Sequence, residues 1–331
     1  MIEPLGPPAE LLALLQMRAS FVLALHKGPD GDAMGSGLAL YHALVAQGRQ
    51  VQVVAPTATA DHYLWMPGAQ ALRQAVEGAP EVAIFLDCDS AARLGDLEAP
   101  LEQLSVVAQI DHHKGEAFGQ VQYLDRSAAA TTIMVYRILK ALDWPITTDI
   151  ATCLYTGMVT DTGFFRFENT NEEVLRAAAD MVALGVVASS VATHVSEARP
   201  LHRMRLMGRA LDALQTAADG AIVYSVLRQE DYAATGAGAG DTEGIIDLLK
   251  QVQGGQVAFV LKEINGSEQW GVSLRAPVVD VAEVARQFGG GGHARAAGFD
   301  AAGTAGEVVG RLVAALEEAL AELARARRAV N

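Results

Sequence analysis

Cysteine is scarce in this chain: only Cys88 and Cys153 occur among 331 residues. Neither belongs to a CxxC pair, which excludes thiolate zinc sites, dithiol redox motifs and a disulfide framework. Both lie in apolar segments, AIFLDCDS and ATCLYTG, and are expected as buried, reduced thiols. Positive charge is in short supply too, with 25 Lys and Arg against 39 Asp and Glu and a formal charge of -14. A globally basic surface for long duplex nucleic acid is excluded, so any anionic substrate must be held by a few local cations. The amino-terminal stretch MIEPLGPPAELLALLQMR carries Glu3 and Glu10 with no basic residue before Arg18. Its apolar part is too short and interrupted for a signal sequence or a membrane span, and a cytoplasmic protein without a membrane partner is expected. With 51% hydrophobic and 19% charged residues, disorder is excluded as well, and the length suits about two domains.

What the sequence does contain is a series of short apolar runs that stop abruptly at polar residues. Residues 21–25 (FVLAL) end at His26, Gly28 and Pro29. Residues 82–86 and 106–110 end at Asp87 and Asp111. Runs of this kind are buried strands of a parallel sheet, and ligands of such sheets gather beyond the carboxyl ends of the strands. Leu38, Tyr41, His42 and Val45 have helical spacing within 34–48, a further strand is predicted at 51–55, and helices dominate 131–184. Residues 186–217 read as a helical connector broken at Pro200. Strands of a second sheet are predicted at 221–227, 256–263 and 270–275, and a packed surface helix at 305–324. The expectation is an α/β protein with a parallel-sheet domain over 1–185, a helical linker over 186–217 and a smaller α/β domain over 218–331.

The most informative segment is HKGPDGDAMGS, residues 26–36. Pro29 and Gly31 prevent a helix from running through it, and in a locally extended chain Asp30 and Asp32 point into the same cleft. The competing reading makes Asp32 the cap of the following helix and Asp30 a turn residue. Asp87 and Asp89, Asp111-His112-His113, and Asp161 in MVTDTG supply further acidic and imidazole groups from separate segments. Asp89 is read as a cap on the next helix. Mixed imidazole and carboxylate donors suit divalent cations, with Mn(II) accepting them more readily than Mg(II). Asp30, Asp32, Asp87 and Asp161 bring four negative charges, which two divalent ions balance. Two such ions about 3.5 to 4 Å apart favour in-line displacement at phosphorus, so phosphoester hydrolysis is the expected reaction. Near the other end, GGGGHARAAG lacks the P-loop lysine, and its glycines would let main-chain amides approach an anion.

Taken in order, HKGPDGDAMGS, FLDCDS, QIDHHKG, VTDTGFFRFENT and GGGGHARAAG resemble the motifs of the DHH phosphoesterase superfamily. The resemblance covers most of the chain and implies a parallel-sheet DHH catalytic domain followed by a DHH-associated domain of the first type. Carried over position by position, it implies that His26 and Asp30 bind one metal, that Asp32, His112 and Asp161 bind the other, and that Asp87 bridges them. His113 would face the substrate phosphate as a hydrogen-bond donor or acid, and Asp111 would orient a neighbouring ligand. Arg275 and His293 would hold the substrate, beside the main chain of Gly290, Gly291 and Gly292. Arg295, Arg166 and Asn169 are additional candidates for that role. The chain looks most like the nanoRNase and pAp-phosphatase branch, where pAp is adenosine 3',5'-bisphosphate. The implied activity is manganese-dependent hydrolysis of short oligoribonucleotides to nucleoside 5'-monophosphates, or of pAp to AMP, in a cleft between two lobes. A homodimer is a family expectation. A cyclic di-AMP phosphodiesterase, an inorganic pyrophosphatase and a non-catalytic nucleotide-binding protein remain alternatives, the pyrophosphatase disfavoured by GGGGHARAAG.

Overall fold

The computed structural model describes residues 5–115, 117–197, 200–242, 244–264, 266 and 268–330. The chain divides into two units between residues 198 and 199.

The first unit is built on six strands: β1 (Ser20–Leu25), β2 (Gln50–Val54), β3 (Leu72–Arg73), β4 (Val82–Leu86), β5 (Val106–Asp111) and β6 (Val121–Leu124). They form one sheet in the order β3-β2-β1-β4-β5-β6, and every pair is parallel. Its helices are α1 (Ala9–Met17), α2 (Gly31–Ala46), α3 (Glu98–Glu102), α4 (Thr131–Ala141), α5 (Thr148–Asp161), α6 (Glu172–Ala183) and α7 (Ala188–Ala192). The central strands read as unbroken apolar runs because both faces are covered. Phe21, Leu23 and Leu25 of β1 join the core with α1, α2, α4 and α5. Val22 and Ala24 pack on the opposite side with Leu94, Leu97 and Leu101. Strand order reverses between β1 and β4, the switch point at which such sheets leave a crevice.

Register then decides what lines that crevice. Leu25 pairs with Leu86, and Leu86 pairs with Ile110. The next residues, His26, Asp87 and Asp111, therefore stand at one level, His26 and Asp87 just past their strands and Asp111 as the last residue of β5. The strands expected at 51–55 and 106–110 sit within a residue of their predicted bounds. β3 and β6 carry no sequence signal of their own, being two and four residues long, and take their form from pairing with β2 and β5.

The second unit contains β7 (Gln215–Ala217), β8 (Ile222–Leu227), β9 (Val257–Ile264), β10 (Gln269–Arg275), β11 (Gly291–His293) and β12 (Ala296–Ala302), with α8 (Leu201–Asp212), α9 (Gln229–Thr235), α10 (Ile245–Leu249), α11 (Val281–Gln287) and α12 (Ala305–Val330). Its sheet runs β11-β12-β10-β9-β8-β7 and is mixed, with β8 and β9 parallel and the remaining neighbours antiparallel. Trp270, Val272 and Leu274 alternate along β10 into a core shared with α11 and α12. Ala258 and Val260 of β9 face α8 and α10 on the other side. Residues 215–217 close the stretch expected to be helical, yet they pair with β8 as an edge strand, because QTA has no apolar stripe to bury as a helix. Val308, Leu312 and Leu316 of α12 are buried at four-residue spacing, as an amphipathic helix on its own sheet requires. Cys88 and Cys153 are free and buried. No single helix among the described residues is long and apolar enough to cross a membrane.

Candidate metal centre

The acidic and imidazole residues named from sequence converge on the carboxyl edge of the parallel sheet. One ligand atom each from His26, Asp30 and Asp87 lies within 4.8 Å of the others, and the same holds for Asp32, His112 and Asp161. Asp87 stands between the two groups. Its Oδ2 is 3.8 Å from His26 Nε2, while its Oδ1 is 3.7 Å from His112 Nε2. Asp87 adopts a left-handed φ of 58°, a conformation that Asp tolerates better than bulkier residues and that turns its side chain out of the strand direction.

Each imidazole is set by a carbonyl. His26 Nδ1 donates to Lys27 O at 2.9 Å, and His112 Nδ1 donates to Ala128 O at 3.2 Å, which leaves both Nε2 atoms as lone-pair donors facing the carboxylates. His112 Nε2 is buried without a hydrogen-bond partner, yet it lies 3.5 Å from Asp161 Oδ2 and 3.9 Å from Asp32 Oδ2. An unprotonated ring nitrogen aimed at three carboxylates it cannot bond is an arrangement that a cation satisfies. The donor set thus fits divalent metal.

The helices hold the carboxylates in different ways. Asp30, rather than Asp32, caps α2, its Oδ1 accepting from Asp32 N and Ala33 N at 3.1 Å each. The cap lies two residues earlier than expected because the helix already begins at Gly31. Asp32 is released to the start of α4, where Oδ2 accepts from Thr131 N at 2.6 Å and Oδ1 accepts from Thr132 N at 3.0 Å and Thr132 Oγ1 at 2.8 Å. An anion at a helix N-terminus is favoured by the exposed amides and the dipole. Thr131 Oγ1 donates to Asp87 Oδ1 at 2.9 Å. The approach of α5 makes glycine obligatory at 157, where a Cβ would lie 2.6 Å from Asp32 Oδ1 and 2.4 Å from Thr132 Cγ2. Thr131, Thr132 and the Ala128 carbonyl carry no recognisable metal-site signal in sequence, since hydroxyls and small residues before a helix serve many purposes.

Asp111 and His113 adjoin these groups, with His113 Nδ1 3.5 Å from Asp87 Oδ1 and His113 forming a third donor group with Asp87 and His112. Asp111 Oδ1 accepts from His113 N at 3.2 Å and from His113 Nδ1 at 2.9 Å, so the residue it orients is His113. Burial pulls His113 towards the neutral form, but the bond to Asp111 and the charges of Asp111, Asp161 and Asp32 outweigh it and raise its pKa. Burial lowers the pKa of His112 despite the nearby Asp32. Burial, then Asp32, Asp30 and Asp161, hold Asp87 well above the ordinary carboxylate range. Asp161 is pushed up to about 8, first by burial and then by Asp32 and Asp30.

These shifts have a sign. A carboxyl near 4 when unfolded and about 8 when folded makes the native state bind more protons than the unfolded one, so stability falls as pH rises through that window. The metal-free protein is expected to melt at a lower temperature at pH 8 than at pH 7, and saturating Mn(II) should flatten the slope. Calorimetric titration at pH 7 in buffers of different ionisation enthalpy should register proton release on metal binding. Uptake of protons, or a melting temperature that climbs with pH in EDTA, would contradict this account.

Asn169 and Arg166 lie on the loop after α5. Asn169 Nδ2 donates to Ala129 O at 2.9 Å and Asp161 O at 3.1 Å, and Arg166 Nε donates to Gly163 O at 2.7 Å. Asn169 thereby ties the loop to the centre through main-chain contacts. Asp89, expected as a cap, instead meets Arg93 at 3.5 Å, and Ser90 stands at the cap position without a side-chain bond.

The remaining candidates belong to the second unit. Arg275 ends β10 and pairs in register with Ala296, its Nη1 donating to Leu274 O at 3.0 Å. Gly290 and Gly292 have a packing reason to be glycine: a Cβ at 290 would lie 2.2 Å from Gly298 O, and one at 292 would lie 2.6 Å from Ala296 O. Gly291 has nothing within 4 Å of such a Cβ. The main chain of His293 pairs with Ala296, its side chain lying outside the described ones, and Arg295 sits in the exposed turn between β11 and β12.

Residues 20–158 match the model of the DHH family, N-terminal domain, and residues 219–322 match the DHHA1 domain. A Thermus thermophilus protein named bifunctional oligoribonuclease and PAP phosphatase NrnA is 34% identical over 277 residues, covering 83% of this chain and 82% of its own. The chain belongs to the DHH family. Within it, a Bacillus subtilis protein of the same name is 25% identical and aligns over 87% of this chain and 91% of its own. A solved structure, that of an exopolyphosphatase-related protein from Bacteroides fragilis, superimposes with a TM-score of 0.90 at 27% identity, covering 95% of this chain and 96% of that one.

Proposed function

We propose that this DHH protein is a manganese-dependent phosphoesterase that hydrolyses short oligoribonucleotides to nucleoside 5'-monophosphates and pAp to AMP. The observation that carries the reading is Asp87, whose two oxygens face two separate imidazole and carboxylate groups. His26 and Asp30 would hold one divalent ion, Asp32, His112 and Asp161 the second, and Asp87 both. When bound, such a pair activates water and neutralises charge at phosphorus.

The chain's own residues supply the rest. His113, held by Asp111 and biased towards its protonated form, donates to the phosphate or to the departing oxygen. Both substrate types present phosphorus on a ribose 3'-oxygen, so one bond cleavage serves both: pApA and water give two AMP, and pAp and water give AMP and phosphate. Arg275 and His293 would hold the substrate, with Arg295 and the main chain of Gly290, Gly291 and Gly292 as further contacts. The forked donors of arginine suit phosphate. A few such cations fit a short substrate and a chain of charge -14. Residues 1–185 would then supply the catalytic part and 218–331 the substrate-binding part, with 186–217 running from the first unit into the second.

The test is turnover of pApA, pAp, cyclic di-AMP and pyrophosphate in one manganese buffer. AMP should appear from the first two, and EDTA should abolish it. Pyrophosphate cleavage with the nucleotides untouched would overturn the assignment.

A further inference from the structure

The loop between Asp161 and Thr170 holds three phenylalanines that meet different fates. Phe164 and Phe165 pack against the core of the first unit, and Phe165 meets Tyr155 with ring centroids 6.2 Å apart. Phe167 is 47% exposed. Its ring lies on Gly163, where a Cβ would come within 2.3 Å of Phe167 Cζ and 2.5 Å of Cε1. The backbone that produces this placement is strained: φ is 55° at Gly163 and 60° at both Phe164 and Phe165, in a region that bulky residues rarely adopt.

The turn is secured on every side. Phe164 N donates to Val159 O at 2.7 Å, and Phe167 N donates to Thr162 O at 3.0 Å. Asn169 fastens it to the carbonyl of Asp161 at 3.1 Å and to that of Ala129 at 2.9 Å. Asp161 belongs to the metal centre, and Ala129 follows the residue whose carbonyl orients His112. Strain at functional sites persists where the surroundings over-determine it. Here it holds a partly exposed aromatic side chain on the loop that follows Asp161, a donor of a centre otherwise made of carboxylates and imidazoles.

An aromatic face next to a phosphoester site is suited to stack a nucleobase, an interaction that tolerates any base because each has a π-face. We propose that Phe167 is a specificity-determining residue that stacks a base of the nucleotide substrate and so separates nucleotide esters from base-free phosphoesters. The inference rests on the nucleotide phosphoesterase reading and extends it to the origin of its selectivity.

The experiment compares kcat and KM for pApA and for the same dinucleotide with both bases removed, using the full chain with Mn(II). Phe167→Leu keeps an apolar contact over Gly163 and should lower kcat/KM for pApA about tenfold or more, mainly through KM. Its loss on the abasic compound should be several-fold smaller, and Phe167→Trp should retain the preference for pApA. Equal losses on both substrates would make the ring a structural prop and overturn the proposal, as would no loss on pApA. A wild-type protein that cleaves both equally well would overturn this proposal alone, whereas one that cleaves neither would remove the phosphoesterase reading beneath it.

Discussion

Asp87→Asn should lower turnover by about a thousandfold or more while raising the melting temperature of the metal-free protein. The two effects have one origin. Asp87 is 1% exposed, and its carboxyl is held well above the usual range by burial and by Asp32, Asp30 and Asp161. At pH 7 the metal-free fold must either protonate this group or bury its charge, and the unfolded chain does neither. Asparagine removes that cost. It keeps an oxygen to accept from Thr131 Oγ1, a bond of 2.9 Å in the native chain, and it tolerates the φ of 58°. What it cannot do is offer two anionic oxygens to the pair of cations proposed for the two donor groups. Assays in Mn(II) and thermal melts in EDTA give the two readouts. A variant that is inactive and also less stable without metal would mean that Asp87 has a packing role instead.

Arg137→Met should cost about 3 kcal/mol of stability in the first unit and loosen metal retention about tenfold. Arg137 lies on α4 with its side chain 11% exposed, and its Nε and Nη2 grip Glu173 Oε1 at 2.7 Å and Oε2 at 2.6 Å. Nη1 donates to Asp125 Oδ2 at 2.5 Å, and Asp125 Oδ1 in turn accepts from Ser127 N at 2.9 Å and Ser127 Oγ at 2.6 Å. Removing the guanidinium leaves the 6%-exposed Asp125 side chain without its cation, which is the expensive way to break a buried ion network. The effect reaches the centre because residues 125–132 supply the Ala128 carbonyl to His112 and the Thr131 and Thr132 donors to Asp32 and Asp87. Urea unfolding and Mn(II) titration measure the two consequences. Unchanged metal affinity in a destabilised variant would confine Arg137 to holding the fold.

The parts of this molecule that were legible in its sequence share a property: they announce themselves locally. A run such as VAIFL that stops at Asp87 identifies a buried strand and a functional exit at once, as does VVAQI before Asp111. The ordered motifs added the family resemblance. Less visible were features that depend on partners far along the chain. The capping role went to Asp30 because the helix begins at Gly31, and Asp32 serves instead the start of α4, about a hundred residues away, which nothing near Asp32 signals. Asp111 was expected to steer a ligand, but its nearest donors belong to His113. The glycines of GGGGHARAAG suggested an anion cradle, while the close approach of β12 explains two of them by packing. Edge strands as short as β3 leave no periodicity to read.

The level ending of β1, β4 and β5 also bears on how the protein is made. A one-residue slip of β4 against β1 would carry Asp87 to the opposite face and separate the two donor groups, so cation affinity reports whether neighbouring strands have zipped correctly. The last donor, Asp161, follows the whole sheet in the chain. A nascent polypeptide emerging from the ribosome therefore lacks the full donor set, and loading with a divalent cation must wait until all six strands and the fifth helix have been synthesised.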